Sequence, residues 1–139
     1  MSDKRLADDV WRTMASLVID NRDTWKRAVV ERTGLPFSRI RILSRLARRS
    51  MSVKQIAEAA TIDAPAATVA VNDLEGRGLV VRETDPTNRR CKMVSLTDAG
   101  RDMVATIDAT DDPAPDIMSA LDDADLGKLQ AILGKLTSG

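Results

Sequence analysis

Residues 78–101 constrain the fold of this 139-residue chain more than any other stretch. Two short runs rich in β-branched residues, 79–81 and 93–96, lie on either side of 85–88, a cluster of turn-forming residues. Within that cluster Pro86 fixes its own φ, as a tight turn requires. The pattern predicts a β-hairpin that leads into a helix. The basic residues at or beside its tip are Arg89, Arg90 and Lys92.

Three helices are predicted before the hairpin, the first over about 37–49. The second begins at Ser52, which forms a capping box with Gln55. The third is capped by Asp63, has a proline in its first turn and runs to about residue 77. Because a tight turn joins the second helix to the third, they are typical of a helix-turn-helix. With the hairpin behind them, they predict a winged helix.

Long helices are predicted on both sides of the winged helix. Residues 3–33 carry apolar residues mostly three or four apart with no internal glycine or proline, which predicts one long helix. Thr97 caps another helix that runs to about Ala109, and a final helix begins at Asp122. The final helix has an apolar stripe that needs a partner surface. The stripe comprises Leu126, Leu129, Ile132, Leu133 and Leu136.

The residue types exclude several kinds of function. The chain has one cysteine, no histidine and no tyrosine, so it lacks the usual zinc ligands and the commonest general base. Neither an enzyme nor a metal or cofactor site is predicted, since no nucleophile has a base beside it in a recognisable spacing. No apolar run is long enough to span a bilayer, and the N-terminus lacks the apolar core of a signal peptide. One cytoplasmic domain over 1–139, without a membrane partner, is expected.

The charge is distributed unevenly, although the net charge is zero. Residues 1–50 hold twelve Lys/Arg and six Asp/Glu, a balance of +6, whereas residues 102–139 hold two and eight, a balance of −6. Such asymmetry suggests a bipolar molecule. The alternative is two solvated helical faces, and composition does not choose between them.

In the order and spacing of its segments the chain resembles the MarR family of bacterial transcriptional regulators. The strongest match is Asp-Pro-Thr-Asn-Arg-Arg at 85–90 with Val-Ser-Leu-Thr-Asp-Ala-Gly at 94–100. Supporting segments are 52–57, 73–80 and 121–126. The resemblance implies a mainly α fold with a small β-hairpin wing. Its winged helix-turn-helix core (36–97) would be flanked by dimerisation helices (1–33 and 98–139).

The resemblance also implies a homodimer that binds double-stranded DNA at a pseudo-palindromic operator, usually as a repressor. Two recognition helices would enter successive major grooves roughly 34 Å apart, with the wings in flanking minor grooves. The acidic C-terminal helices would then face basic N-terminal helices across the two-fold axis. Alternatively, these charges are solvated and contribute little.

Three groups of DNA contacts follow from the resemblance. In the wing, Arg90 with Arg89 beside it would enter a narrow minor groove, and Asp85 would pair with a wing arginine to hold the loop's shape. The phosphate contacts are assigned to Arg48, Arg49, Ser52, Lys54 and Arg77. The base contacts are assigned to Thr68 and Asn72, with Ala64 and Val69 against thymine methyl groups.

The predicted recognition helix departs from the family's pattern, because Ala64, Ala66 and Val69 stand where hydroxyl-bearing or basic residues are common. We therefore expect fewer hydrogen bonds to bases and more weight on phosphates and DNA shape. Asn72 is alternatively a surface amide that contacts only water.

A ligand pocket between the dimerisation helices and the winged helix is also implied, of the kind that takes a small aromatic carboxylate or phenolic ligand. Such a ligand releases a repressor only if it binds the two dimer shapes with different affinity. The candidates are Trp11, Met14 and Trp25 as an apolar wall and Arg12, Arg22 or Arg41 as the carboxylate partner. Each tryptophan is alternatively an ordinary core or interface residue.

Two other functions stay open. Cys91 lies between Arg90 and Lys92, a basic setting typical of reactive thiols, so a thiol-responsive regulator is one alternative. A winged-helix module that binds another protein is the second, with the basic wing then playing no part. Salt-sensitive binding to duplex DNA separates a DNA-binding protein from such a module.

Overall fold

The computed structural model of the chain describes residues 3–137. Its helices are α1 (Lys4–Asp20), α2 (Asp23–Thr33), α3 (Phe37–Leu46), α4 (Val53–Ala60), α5 (Ala64–Gly76), α6 (Asp98–Asp108) and α7 (Asp123–Thr137). Its strands are β1 (Met51–Ser52), β2 (Val80–Asp85) and β3 (Asn88–Leu96), and Asp116–Ala120 form a 3-10 helix. The prediction of a mainly α fold with a small β-hairpin is confirmed. None of the described helices is long and apolar enough to cross a membrane.

The N-terminal segment forms two helices, so the prediction of one long helix over 3–33 is wrong. α1 ends at Asp20 and α2 begins at Asp23. Between them, the side-chain amide of Asn21 donates to the Leu17 carbonyl (2.8 Å), and the Asn21 backbone leaves the helical range. Short polar side chains compete with the backbone for hydrogen bonds, so a run of them favours a helix end.

Three antiparallel strands form one sheet in the order β1-β3-β2. The sequence did not predict β1, which pairs Met51 with Val94 and Ser52 with Met93. β2 and β3 are longer than the predicted runs, so the tip of the hairpin is reduced to 86–87. β1 lies directly before α4, so the sheet joins the wing to the start of the helix-turn-helix.

α4 and α5 form the predicted helix-turn-helix with both predicted caps. Ser52 and Gln55 exchange side-chain hydrogen bonds with each other's backbone N–H. Asp63 accepts a hydrogen bond from the Ala66 N–H at the start of α5 (2.8 Å). The predicted inward face of α5 is buried in one apolar core with residues of α2, α3, α4, α6 and the sheet. That face comprises Ala67, Ala70, Val71 and Leu74.

Thr97 fastens α6 to the start of the hairpin. Its Oγ1 donates to the Gly78 carbonyl (2.6 Å) and accepts from the Gly100 N–H (3.0 Å). Its N–H donates to the Leu79 carbonyl (3.1 Å). The first turn of α6 is therefore in direct backbone contact with the segment that enters β2.

The two terminal helices lie outside this core. Within residues 3–137, neither α1 nor α7 contributes a buried side chain. Both carry large apolar side chains that are exposed in the protomer. On α1 these are Leu6, Val10, Trp11, Leu17, Val18 and Ile19, and on α7 they are Ile132, Leu133 and Leu136.

Candidate nucleic-acid interface

The exposed face of α5 is small and mostly apolar. The four side chains predicted to face bases, Ala64, Thr68, Val69 and Asn72, are all exposed. Val69 has 61% of its surface exposed, so its methyl groups are accessible to a partner molecule. Since the opposite face is fixed in the core, α5 presents these side chains on a rigid support. Only Thr68 and Asn72 among the four can form side-chain hydrogen bonds with base edges.

Asn72 is bound to another side chain. Its Oδ1 accepts a hydrogen bond from Nη2 of Arg82 on β2. Nη1 of Arg82 lies 4.0 Å from Oε1 of Glu75, one turn further along α5. The Nε of the same guanidinium is buried and has no hydrogen-bond partner within residues 3–137. The alternative that Asn72 contacts only water therefore does not hold, and the wing strand is tied to α5.

Arg82 is a site residue that the sequence reasoning missed. The sequence does contain a pattern that could have identified Arg82. Side chains alternate between the two faces of a strand, so Arg82 lies on the same face as Val80. Val80 is fully in the core, and the Arg82 side chain is only 25% exposed. An arginine on the inward face of a strand needs acceptors on the element packed against it. Here that element is α5.

Asp73 joins α5 to α3. Its carboxylate accepts from Nε of Arg39 on α3 (3.0 Å) and from Nε of Arg77 just after α5 (3.2 Å). The hydrogen bond from Arg39, followed by that from Arg77, holds the pKa of Asp73 below its ordinary value. Arg77 was predicted to bind phosphate, and in the structure its Nε already has a carboxylate partner.

The wing carries its arginines on an irregular part of β3. The strand pairing passes from Thr84–Lys92 directly to Asp85–Asn88, so residues 89–91 stand opposite no residue of β2. The two arginines in this segment are exposed. No ion pair involves them within residues 3–137. Both cations are therefore available to a partner molecule, as the sequence predicted for the wing tip.

Asp85 shapes the wing turn through Thr87 rather than through an arginine. Its Oδ1 accepts hydrogen bonds from the Thr87 N–H (2.9 Å) and from Thr87 Oγ1 (2.8 Å). The backbone hydrogen bond and then the hydroxyl hold the pKa of Asp85 below its ordinary value. This arrangement differs from the predicted pairing with a wing arginine, because a carboxylate of this kind can close a turn on its own.

Four of the side chains predicted to bind phosphates line three different clefts. Ser52 and Lys54 border a shallow cleft beside Asp85 at the base of the wing. Arg48 and Arg49 follow the end of α3, which stops at Leu46 and not near residue 49 as predicted, and they line two other clefts. Ser52 and Lys54 are thus the phosphate candidates that the structure brings next to the wing.

A cleft of about 660 Å³ lies between α1, α2 and α3. Three of the predicted ligand residues, Arg22, Trp25 and Arg41, line it, whereas Trp11, Arg12 and Met14 do not. Trp11 is largely exposed on α1, and Arg12 pairs with Asp9 on the surface of the same helix. These three stay a prediction that this cleft does not support, since helical spacing does not say which turn of α1 faces α3.

The cleft holds cations against aromatic rings. The Arg22 guanidinium lies 4.0 Å from the centroid of the Trp25 ring, and Lys26 Nζ lies 5.1 Å from that of Phe37. The two rings meet edge to face with centroids 5.8 Å apart. The cationic side chains along the lining are Arg22, Lys26, Arg41, Arg45 and Arg48, and no carboxylate from residues 3–137 lines the cleft. Such a surface suits an anion with an apolar body.

Comparison with known proteins shows which proteins this chain is similar to. The sequence model of the MarR family matches residues 33–90, which run from the end of α2 into β3. A putative transcriptional regulatory protein for the hcr operon of Thauera aromatica is 34% identical over 87 residues. That alignment covers 62% of this chain and 52% of the relative, so the chain spans about half of the relative's length.

Solved structures share the fold. The chain superposes on apo MarR from E. coli with a TM-score of 0.71 at 15% identity, covering 90% of this chain and 95% of that one. For YusO from Bacillus subtilis the TM-score is 0.63 at 24% identity, with 100% and 99% covered. For BldR from Sulfolobus solfataricus the values are 0.65 and 21%, with 99% of each chain covered. These similarities confirm the winged-helix fold with its flanking helices.

Proposed function

We infer from the match of residues 33–90 to the MarR family that this chain is a DNA-binding transcriptional regulator. The observation that carries the proposal is the rigid, outward face of α5 beside a wing whose two arginines are exposed and without ion-pair partners in the described part of the chain. A helix-turn-helix reads the major groove with its second helix. Cations at a wing tip are attracted to the negative potential of a narrow minor groove.

The regulator acts as a homodimer. The exposed apolar side chains of α1 and α7 form faces that the protomer core does not cover, and burial of such faces drives association. A two-fold axis repeats α5 and the wing, so two half-sites of a pseudo-palindromic operator are read together. Across the two-fold axis, the acidic C-terminal segment of one protomer then lies near the basic N-terminal segment of the other, and their opposite charges attract.

Base reading by α5 combines one amide with methyl contacts. Asn72 and Thr68 supply hydrogen bonds, and Val69 and Ala64 present apolar surface to thymine methyl groups. Because few polar groups contact bases, Arg89, Arg90, Lys54 and phosphate contacts supply most of the affinity. Binding is therefore expected to fall steeply as salt rises.

Selection from random DNA tests this function. A duplex pool with a randomised segment of roughly three helical turns, long enough for two half-sites, is offered to the wild type at physiological salt. We expect a pseudo-palindromic sequence to emerge. Arg90→Ala should weaken binding to it without changing the preferred sequence, and should lower the slope of log Kd against log salt by about one.

The matched control is Arg27→Ala, which removes an exposed arginine of α2, away from α5 and the wing. It should leave both affinity and salt slope unchanged. Absence of any selected sequence from the wild type would reject the regulator proposal and favour a winged-helix module that binds another protein.

The cleft between α1, α2 and α3 favours an aromatic acid as the ligand that releases the DNA. Its arginines and lysine supply the counter-charge, and Trp25 and Phe37 supply the apolar wall. Salicylate is the probe, and the fluorescence of Trp25 is read in a Trp11→Phe background, where Trp25 is the one tryptophan left. Salicylate should change the emission and dissociate the selected duplex.

Arg41→Ala should weaken both effects of salicylate, while Arg12→Ala, whose side chain lies outside the cleft, should leave them intact. If the two variants respond alike, the cleft is not the ligand site. Repression released by such an acid is the regulatory mode that we propose. Control through the half-buried Cys91 would instead appear as loss of DNA binding on oxidation.

A further inference from the structure

The side chain of Arg82 is held in one place by its surroundings. It projects from β2 at the position that pairs with Val94, a fully buried residue of β3. Three-quarters of the side chain is removed from solvent, and its Nε is among the buried atoms. The guanidinium is therefore a fixed donor between the sheet and α5, unlike a mobile surface arginine.

The two groups that receive this donor both belong to α5. Nη2 donates to Oδ1 of Asn72, and Nη1 faces the carboxylate of Glu75. An arginine has donors and no acceptor, so the atom of the Asn72 amide that meets it must be the oxygen. The contact thereby fixes which way round the Asn72 amide lies, as well as which rotamer it occupies.

An amide fixed in this way is prepared for recognition. An asparagine reads a base only when its oxygen and its nitrogen lie in the right order along the base edge. A free surface asparagine would lose rotamer freedom on binding and would choose its orientation only then. Here Arg82 on the neighbouring strand has already fixed the orientation. Within residues 3–137 the amide nitrogen has no acceptor, so it can donate to a base.

We propose that Arg82 is a positioning residue for base recognition, which acts by orienting Asn72 from the neighbouring strand. The proposal rests on the DNA-binding function inferred above. It assigns sequence discrimination at one base pair of each half-site to the pair Asn72–Arg82. Loss of either side chain should have the same effect on that base pair.

The test uses the selected duplex and variants of it that change one base pair at a time. The base pair read by Asn72 is the one whose discrimination disappears in Asn72→Ala, where discrimination by a well-placed side chain is on the order of tenfold to a hundredfold. Two variants remove the guanidinium of Arg82. Arg82→Met replaces it with an apolar side chain, and Arg82→Gln replaces it with a polar side chain shorter than that of arginine. We expect whichever of them folds to lose discrimination at that same base pair and to keep it elsewhere.

Two further measurements separate positioning from a structural role. In the Asn72→Ala background, the Arg82 substitutions should change base preference no further, because the residue they act through is absent. The matched control Arg101→Met removes an exposed arginine of α6 that pairs with Asp98. It should leave discrimination at every base pair unchanged.

Several outcomes would overturn the proposal. If Arg82→Met or Arg82→Gln weakens all duplexes equally, Arg82 supports the wing and does not position Asn72. If neither variant folds, Arg82 is a residue of the core rather than of the interface. If Asn72→Ala changes no base preference, Asn72 is not a reader. In each of these cases the regulator function stands, whereas a wild type that selects no sequence would overturn both.

Discussion

Asp73 makes the stability of the helix-turn-helix depend on pH, because Arg39 and Arg77 hold its pKa below the ordinary value of 3.8. A carboxyl whose pKa is lower in the folded state stabilises the fold above its unfolded pKa. That stabilisation disappears as the pH falls through the folded pKa. Asp73→Asn should therefore lower the Tm at pH 7, and the difference from wild type should shrink once the pH falls below about 3.8.

Thermal unfolding followed by circular dichroism between pH 7 and about pH 1, a range that extends well below the ordinary carboxyl pKa, provides the measurement. Asp102→Asn is the matched control, since Asp102 is exposed on α6 and forms no ion pair in the described part of the chain. Its Tm should follow that of the wild type throughout. A Tm difference for Asp73→Asn that is equal at both ends of the range would contradict the assignment.

We expect the side chain of Val69 to make an apolar contact with thymine methyl groups in the major groove. Replacing thymine by uracil in the selected duplex deletes only the methyl group that faces the major groove. Loss of one buried methyl contact of this size corresponds to about 0.8 kcal/mol, or about fourfold in Kd. We expect that loss at one or two positions of each half-site, measured by fluorescence anisotropy.

At the position that Val69 contacts, the same replacement should have little effect on Val69→Ala, which lacks the methyl groups that make the contact, whereas a thymine against Ala64 should stay sensitive. Ile62→Ala is the control, because it changes an exposed apolar residue just before α5. It should keep the sensitivity of the wild type to uracil. Equal sensitivity to uracil in wild type and Val69→Ala would show that another group makes the methyl contact.

At the scale of elements, α6 packs closely against the segment that enters the hairpin, with Gly100 next to the Leu79 backbone. A Cβ at Gly100 would overlap the Leu79 carbonyl oxygen, which is backbone and cannot rotate away. Alanine normally favours a helix by about 1 kcal/mol over glycine. At this position the overlap should reverse the sign, and Gly100→Ala should destabilise the protein by about 3 kcal/mol, at the upper end for overpacking.

Urea unfolding gives the free energy for this comparison, with Gly76→Ala as the control. Gly76 ends α5, and a Cβ there would meet no atom within 4 Å. The control should be neutral or stabilise by up to about 1 kcal/mol. If both substitutions stabilise, α6 does not sit against the Leu79 carbonyl as described.

The elements that the sequence predicted well are those marked by short-range chemistry. Ser52 with Gln55, Asp63 and Thr97 each cap a helix through contacts within three residues, so the signal and the structure are equally local. The elements it missed depend on distant partners. Strand β1 forms because Met51 pairs with Val94, and a two-residue run has no sequence pattern that predicts such a pairing.

The candidate site divides in the same way. Exposure of Thr68, Val69 and the wing arginines follows from helical and strand periodicity, and these predictions are confirmed. The contact between Asn72 and Arg82 joins two elements at an angle that periodicity does not determine. For the same reason, the helical pattern of α1 does not determine which of its residues lie beside the cleft, which is lined from this helix by Val18 and Ile19.

At the scale of the whole molecule, the proposed homodimer depends on the terminal helices. The apolar side chains of α1 and α7 are exposed in the protomer, so a second copy of the chain would cover them. The exposed side chains of α7 lie on one side of the helix, as their spacing requires. A charge placed within that face should separate the protomers, whereas the same charge on the opposite side should not.

Ile132→Glu puts a carboxylate in the middle of the α7 stripe, and Ala131→Glu puts one on the far side of the same turn. Burying an unpaired carboxylate at an interface costs several kcal/mol, so Ile132→Glu should sediment as a monomer and Ala131→Glu as a dimer. The monomer offers one half-site reader instead of two. Its affinity for the selected duplex should fall roughly a hundredfold or more, because binding at the second half-site is no longer intramolecular. A monomeric Ile132→Glu that binds as tightly as Ala131→Glu would mean that each protomer recognises DNA alone.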